Sequence, residues 1–215
     1  IAAPYAFIPS TAADNPYLSD AQRDAWKEMP EAEYKRFVLG DWEALTGAYY
    51  DTLNVSVHLV DALPDPIPAH WRRWASFDWG YRHWSVLGAW VTDDDGVDYL
   101  VKSVWARGLQ DDALARLFKT EVEPEHLALV FAGHDCWNKV TARGASGEST
   151  ADVFAAEKIA LVRADVDLVN GGRAVNRQLH VKDGRAGCYI VREPGNLRVF
   201  DQLGEIVPDI NDIGL

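Results

Sequence analysis

Between residues 74 and 105 three strand-like runs follow one another with only turns between them, whereas after residue 110 each short apolar run is separated from the next by a helical stretch. This switch in period constrains the fold more than any other feature of the chain. The first two runs cover 74–80 and 84–91. Thr92-Asp93-Asp94-Asp95-Gly96 then supplies an Asp-Gly turn into a third run over 97–105, which predicts a β-hairpin. Helical periodicity follows over 110–119, with Leu114, Leu117 and Phe118 on one face. An all-apolar run at 127–131 reads as a strand buried on both faces. Ser149 is placed to cap a helix reaching about residue 158, and further elements are expected at 159–163, 170–180, 188–191 and 195–203. Strands joined by hairpins pair antiparallel, while strands separated by helices pair parallel through crossovers. The expectation is therefore a mixed sheet of about five or more strands with helices on both faces.

Upstream the texture differs. Ser19 opens a candidate helix to about residue 27, and a second runs over 31–39 until Gly40. Leu63-Pro64-Asp65-Pro66-Ile67-Pro68 reads as an extended, semi-rigid connector. The sequence thus divides into a mostly helical and extended connecting segment, 1–70, and a domain over 71–215. With Ile1 first and Met29 its only methionine, the sequence is expected to be a piece of a longer protein.

Composition narrows the function classes. A 215-residue chain that is 48% hydrophobic and 25% charged can bury a substantial core. No apolar run approaches the ~20 residues that span a bilayer, so no membrane partner is expected. Two cysteines, Cys136 and Cys188, make neither a zinc cluster nor a disulfide framework. The net charge of −12 argues against a general nucleic-acid binder, because phosphate neutralisation usually leaves a basic footprint. An acidic nuclease remains open if its carboxylates load cations and a local basic loop grips the strand.

Two aspartates carry the chemistry. Asp78 sits in Trp74-Ala75-Ser76-Phe77-Asp78-Trp79-Gly80, where an apolar residue would be expected, and an ionised carboxylate there costs several kcal/mol unless paired or bound to metal. Asp135 follows the apolar run directly, where functional groups of α/β sheets gather. If the two strands lie side by side, both carboxylates face one pocket, and oxygen donors suit two Mg²⁺ or Mn²⁺ ions. Taken alone, Asp78 reads as an ordinary strand-end aspartate and Asp135 as a loop-start residue; the metal reading gains when the two are taken together. His83 and His134 lack zinc-ligand spacing and read as edge residues. The sequence contains no GxxxxGK[ST] loop and no GxSxG elbow. Lys139 and Arg143 lie in a Gly-containing loop after Asp135, and Arg82, Arg173 and Arg177 complete the candidate DNA-phosphate contacts. Five tryptophans between 71 and 90 read as packing rather than base-stacking residues. Paired carboxylates among tryptophans also admit a glycoside hydrolase, which would work in excess chelator.

Three stretches resemble the C-terminal part of phage terminase large subunits. Phe7-Ile8-Pro9-Ser10 through Asp14-Asn15-Pro16-Tyr17-Leu18 looks like the segment leaving the packaging ATPase. Phe37-Val38-Leu39-Gly40-Asp41-Trp42-Glu43 with Gly47-Ala48-Tyr49-Tyr50 looks like the segment before the nuclease. Phe77-Asp78-Trp79-Gly80 and the later Asp135 match the first two acidic metal positions. The resemblance implies a ribonuclease H-like nuclease that cuts concatemeric double-stranded DNA during packaging in the host cytoplasm, absent from the mature virion. It implies an N-terminal ATPase domain, a small subunit and a portal ring as partners of the complete protein. A non-catalytic docking or DNA-guiding module of the motor is the alternative. The family's third aspartate precedes an Arg-Tyr-containing run that is lacking here. Asp209 and Asp212, in Pro208-Asp209-Ile210-Asn211-Asp212, stand in about the right region: Asp212 is the candidate third catalytic acid and both are candidate metal ligands.

Overall fold

The protein is described by a computed structural model covering residues 48–139, 147–165 and 167–206, with isolated positions between 11 and 39. In chain order the elements are α1 (Val55–His58), β1 (Leu59–Val60), β2 (Arg72–Asp78), β3 (Ser85–Thr92), β4 (Asp98–Ala106), α2 (Asp111–Glu121), β5 (Val130–Ala132), α3 (Thr150–Ala156), β6 (Leu161–Arg163), α4 (Leu168–Leu179), β7 (Cys188–Val191) and α5 (Pro194–Glu205). Among the described residues seven strands form one sheet in the order β1-β7-β4-β3-β2-β5-β6. The meander β2-β3-β4 is antiparallel, and every other pairing is parallel, as the change of period requires.

Helices cover both faces. On one, Phe118 of α2 and Phe154 of α3 pack on Phe77 of β2, with Leu87, Val104 and Val130 completing a core. Ser149 caps α3 through a capping box with Asp152, so the chain enters that helix at a fixed point. On the other, Phe200 of α5 and Leu179 of α4 meet Leu100 and Ile190. Residues ahead of position 70 join this second core: Tyr50 and Leu53 are buried in it, and β1 pairs with β7. His58 anchors them, its Nδ1 accepting from the Asn54 amide at 3.0 Å while Nε2 donates to the Leu179 carbonyl at 2.7 Å.

Two elements differ from expectation. The run at 127–131 begins as a 3₁₀ turn, Pro124–Leu127, and only Val130–Ala132 is strand. Pro124 pre-sets the first turn position, and Leu127 reaches the core from the turn, so its apolar character gave no clue to its conformation. The second difference is in β4, whose pairing with β3 shifts between Ala89 and Trp90 and leaves Val101 as the extra residue of a bulge. The buried Asn196 of α5 answers this irregularity, its side-chain amide donating to the Leu100, Val101 and Val191 carbonyls at 3.1, 2.9 and 3.0 Å. The helices expected over 19–27 and 31–39 fall largely outside the described residues.

Asn196→Ala is expected to lower unfolding free energy in urea by about 1–3 kcal/mol, since buried carbonyls lose their donor. A loss within error of zero would show that α5 is held by its apolar face alone.

Candidate active site

The pairing of β2 with β5 creates the site. The two strands run parallel with Phe77 opposite Ala132, so Asp78 and Gly133 leave the sheet at the same end. Asp135 follows at once in the 3₁₀ turn His134–Trp137. A Cβ at Gly133 would lie 2.8 Å from Asp135 Oδ1, so it is the bare backbone there that lets this carboxylate fold back over the strand end. A cleft of about 280 Å³ opens at this point, its walls including Asp78, Ser76, Gly88, Trp90, Gly133 and Val199.

The lining is mostly apolar. It strips hydration from the Asp78 carboxyl, and the negative charge of Asp135 adds to the effect, so the Asp78 pKa stands above its usual range. The two carboxylates are electrostatic neighbours, as their strand positions require.

The chain around Asp78 is clamped on both sides. Trp79 donates from Nε1 to Asp111 Oδ1 at 2.9 Å, and Thr150 donates to the other carboxylate oxygen at 2.8 Å, so one acid ties the strand end to α2 and α3. The buried Ser85 hydroxyl accepts from the Gly80 amide at 3.0 Å and donates to the Gly80 carbonyl at 2.6 Å, closing the turn between β2 and β3. The cleft floor is set by Trp90, which stacks on Trp74 and donates to Ser76 Oγ at 2.9 Å. It lies across Gly88, where a Cβ would meet its Nε1 at 2.9 Å. Of the aromatic group singled out in the sequence, Trp71, Trp74, Trp79 and Trp90 pack within the fold, while Trp84 is more exposed.

The other sequence candidates distribute unevenly. Arg82 lies exposed in the turn after Asp78, and Lys139 lies exposed just past the turn that carries Asp135, so both border the carboxylate end of the sheet. Arg173 and Arg177 are exposed on α4, which packs towards β7 at the other side of the sheet. Asp209, Asp212 and Arg143 lie outside the described residues. Among the described residues no group of three or more His, Cys, Asp or Glu side chains gathers to hold a metal ion. Cys136 and Cys188 are both free of disulfides. Sequence reasoning overlooked Gly133, Ser85 and Asp111, whose parts depend on contacts distant in the chain. It also overlooked Arg163 and Arg198, which stand over tryptophan rings beside the cleft.

No family model matches the sequence, and no curated protein matches it significantly. Solved structures do. The large terminase of a thermophilic bacteriophage aligns over 94% of this chain with a TM-score of 0.56 and 20% identity. The same terminase in complex with ADP aligns with a TM-score of 0.55. The nuclease domain of the P22 large terminase aligns over 77% of this chain and 82% of its own, with a TM-score of 0.57 and 14% identity. The fold is that of a large-terminase nuclease domain. It is the ribonuclease H-like arrangement expected from the order of strands and helices. The chain spans 48% of the thermophilic phage protein, about half its length.

The raised Asp78 pKa has a definite sign in stability. The folded state holds this proton more tightly than the unfolded chain, so stability falls as the pH rises through the carboxylate range. Asp78→Asn is expected to melt above the parent at pH 7, with the two curves converging in acid. A variant that melts below the parent at neutral pH would contradict this assignment.

Proposed function

We propose that this chain is the nuclease part of a phage large terminase, a metal-dependent endonuclease that hydrolyses phosphodiester bonds of concatemeric double-stranded DNA during packaging. The observation that carries the reading is the approach of Asp78 and Asp135 at the adjacent carboxyl ends of parallel β2 and β5, where the charge of Asp135 acts on the Asp78 carboxyl at the mouth of the cleft that Asp78 lines. The charge of Asp135 raises the Asp78 pKa, a hard divalent cation would relieve that repulsion, and carboxylate oxygen donors suit Mg²⁺ or Mn²⁺. Asp78 and Asp135 would hold two such ions, with Asp212, or Asp209, as the third acid. Ions bound there supply a water of lowered pKa and stabilise the leaving oxygen.

The chain's own groups do the rest. The apolar wall beside the solvent-exposed Asp78 removes part of its carboxylate's hydration, which favours a cation as its partner. Asp111 and Ser85 fix the strand end, so the two carboxylates keep their spacing without reorganising. Arg82 and Lys139, with Arg143, Arg173 and Arg177, are assigned to the DNA backbone. The likeness to the thermophilic phage and P22 proteins supports placing this activity in a packaging motor. There an ATPase domain, a small subunit and a portal ring would be its partners and the host cytoplasm its location. Among the described residues no helix is long and apolar enough to cross a membrane.

Plasmid cleavage by the chain with Mn²⁺, Mg²⁺ or EDTA, beside Asp78→Asn and Asp135→Asn, tests this reading. Cutting that requires metal and falls by at least two orders of magnitude in either variant is expected. Cutting that persists in EDTA would overturn the metal-dependent reading. DNA binding with no cutting under any condition would favour the non-catalytic guiding module.

A further inference from the structure

We infer that Arg163 and Arg198 are two phosphate-gripping arms for a DNA duplex, one on each side of the Asp78–Asp135 cleft. This rests on the nuclease reading and specifies how such a site would hold its substrate. Arg198, on α5, has its guanidinium 4.1 Å from the ring centroids of both Trp84 and Trp105. Arg163, at the end of β6, stands 4.5 Å from the ring of Trp137, two residues beyond Asp135. Each is one residue from a cleft wall: Val199 in one case, Ala164 in the other.

Among the described arginines, these two are the ones held over tryptophan rings. Arg116, Arg185 and Arg192 are each paired with a carboxylate. Among the described residues no carboxylate pairs with Arg163 or Arg198, although the chain carries 33 acids against 21 lysines and arginines. An aromatic face orients a guanidinium by cation–π attraction while leaving its N–H fork unspent. The holders are themselves fixed. Trp105 donates from Nε1 to the Gly195 carbonyl at 3.1 Å, and Trp84 meets Trp105 edge to face. Such an arm is oriented before the ligand arrives, and its charge is not cancelled in advance. That suits a phosphate, which accepts two parallel N–H bonds.

Topology puts both arms at one end of the sheet. β2, β4, β5 and β6 run in the same direction, so Asp78, Trp105, Asp135 and Arg163 all lie at carboxyl ends. β4 lies two strands from β2 on one side and β6 two strands on the other. The strands that carry them, β4 and β6, are roughly 19 Å apart across the sheet, four strand spacings, with Arg163 on the face of α2 and α3 and Arg198 on the face of α5. That matches about five to six base steps of duplex, with the acidic pair between them. This local positive bracket also explains how an acidic chain could hold DNA.

The test is duplex binding by the Asp78→Asn chain in metal-free buffer, read as the anisotropy of a short labelled duplex across a salt series. Arg163→Gln and Arg198→Gln, each added to Asp78→Asn, are expected to weaken binding and to lower the slope of log affinity against log salt by about 0.9 apiece. Lysine at either position keeps the charge and should restore the slope, which separates a lost phosphate contact from a damaged wall. Unchanged slopes in both glutamine variants would overturn the inference, as would an Asp78→Asn chain with no salt-dependent duplex binding. Arginine-dependent binding by a parent chain that cuts nothing would support the arms while removing the nuclease reading.

Discussion

Everything at the candidate site depends on one pairing, the parallel alignment of β5 beside β2. Only three residue pairs define it, yet it decides that Asp78 and Asp135 leave the sheet together. Parallel pairing demands a crossover, and here it runs through β3 and β4 and returns over the sheet by α2. Its Phe118 is fully buried against Phe77, directly before Asp78. Core packing on one face thus sets the spacing of charge at the strand end. The opposite face accepts what this spacing costs: an aspartate whose carboxyl is held above its normal pKa has been placed against stability. Such conflicts between local chemistry and folding are where functional sites are expected.

The framework around that pairing was largely readable in the residues. The Asp-Gly hairpin between β3 and β4, the amphipathic α2 and the Ser149 cap were all marked by local pattern, and each stands within a few residues of its expected place. Asp78 was visible because a carboxylate interrupts an apolar strand, and Asp135 because it follows one. What local pattern could not supply was long-range partnership. β1 is two residues long and gains its identity only by pairing with β7, so the segment ahead of residue 70 gave no sign that it would join the sheet. Asn196 resembles any polar helix residue until the bulge it serves is in view. Gly133 matters only because of where Asp135 turns.

The tryptophans illustrate the same limit. Their number suggested packing, and Trp74 stacked on Trp90 is packing. Trp84, Trp105 and Trp137 are also structural, but what they hold is cationic. Composition counts aromatic rings and charges separately, whereas the fold joins them across 114 positions, from Trp84 to Arg198. A single net charge therefore says little about the potential at one end of a sheet.

The bulge in β4 has one more consequence, in terms of chain length. Because Val101 is an extra residue, Leu100 and Ser103 face the same side although an odd number of positions separates them. Delete Val101 and the ladder closes, with Leu100 against Trp90 and Lys102 against Ala89, so Ser103 and Trp105 keep the side they already have. The extra residue therefore does not choose which side chains meet the cleft. It bends the strand and adds local twist at the carbonyls of Leu100 and Val101, the two that Asn196 gathers. A shortened strand would keep its faces and lose the shape to which α5 is anchored.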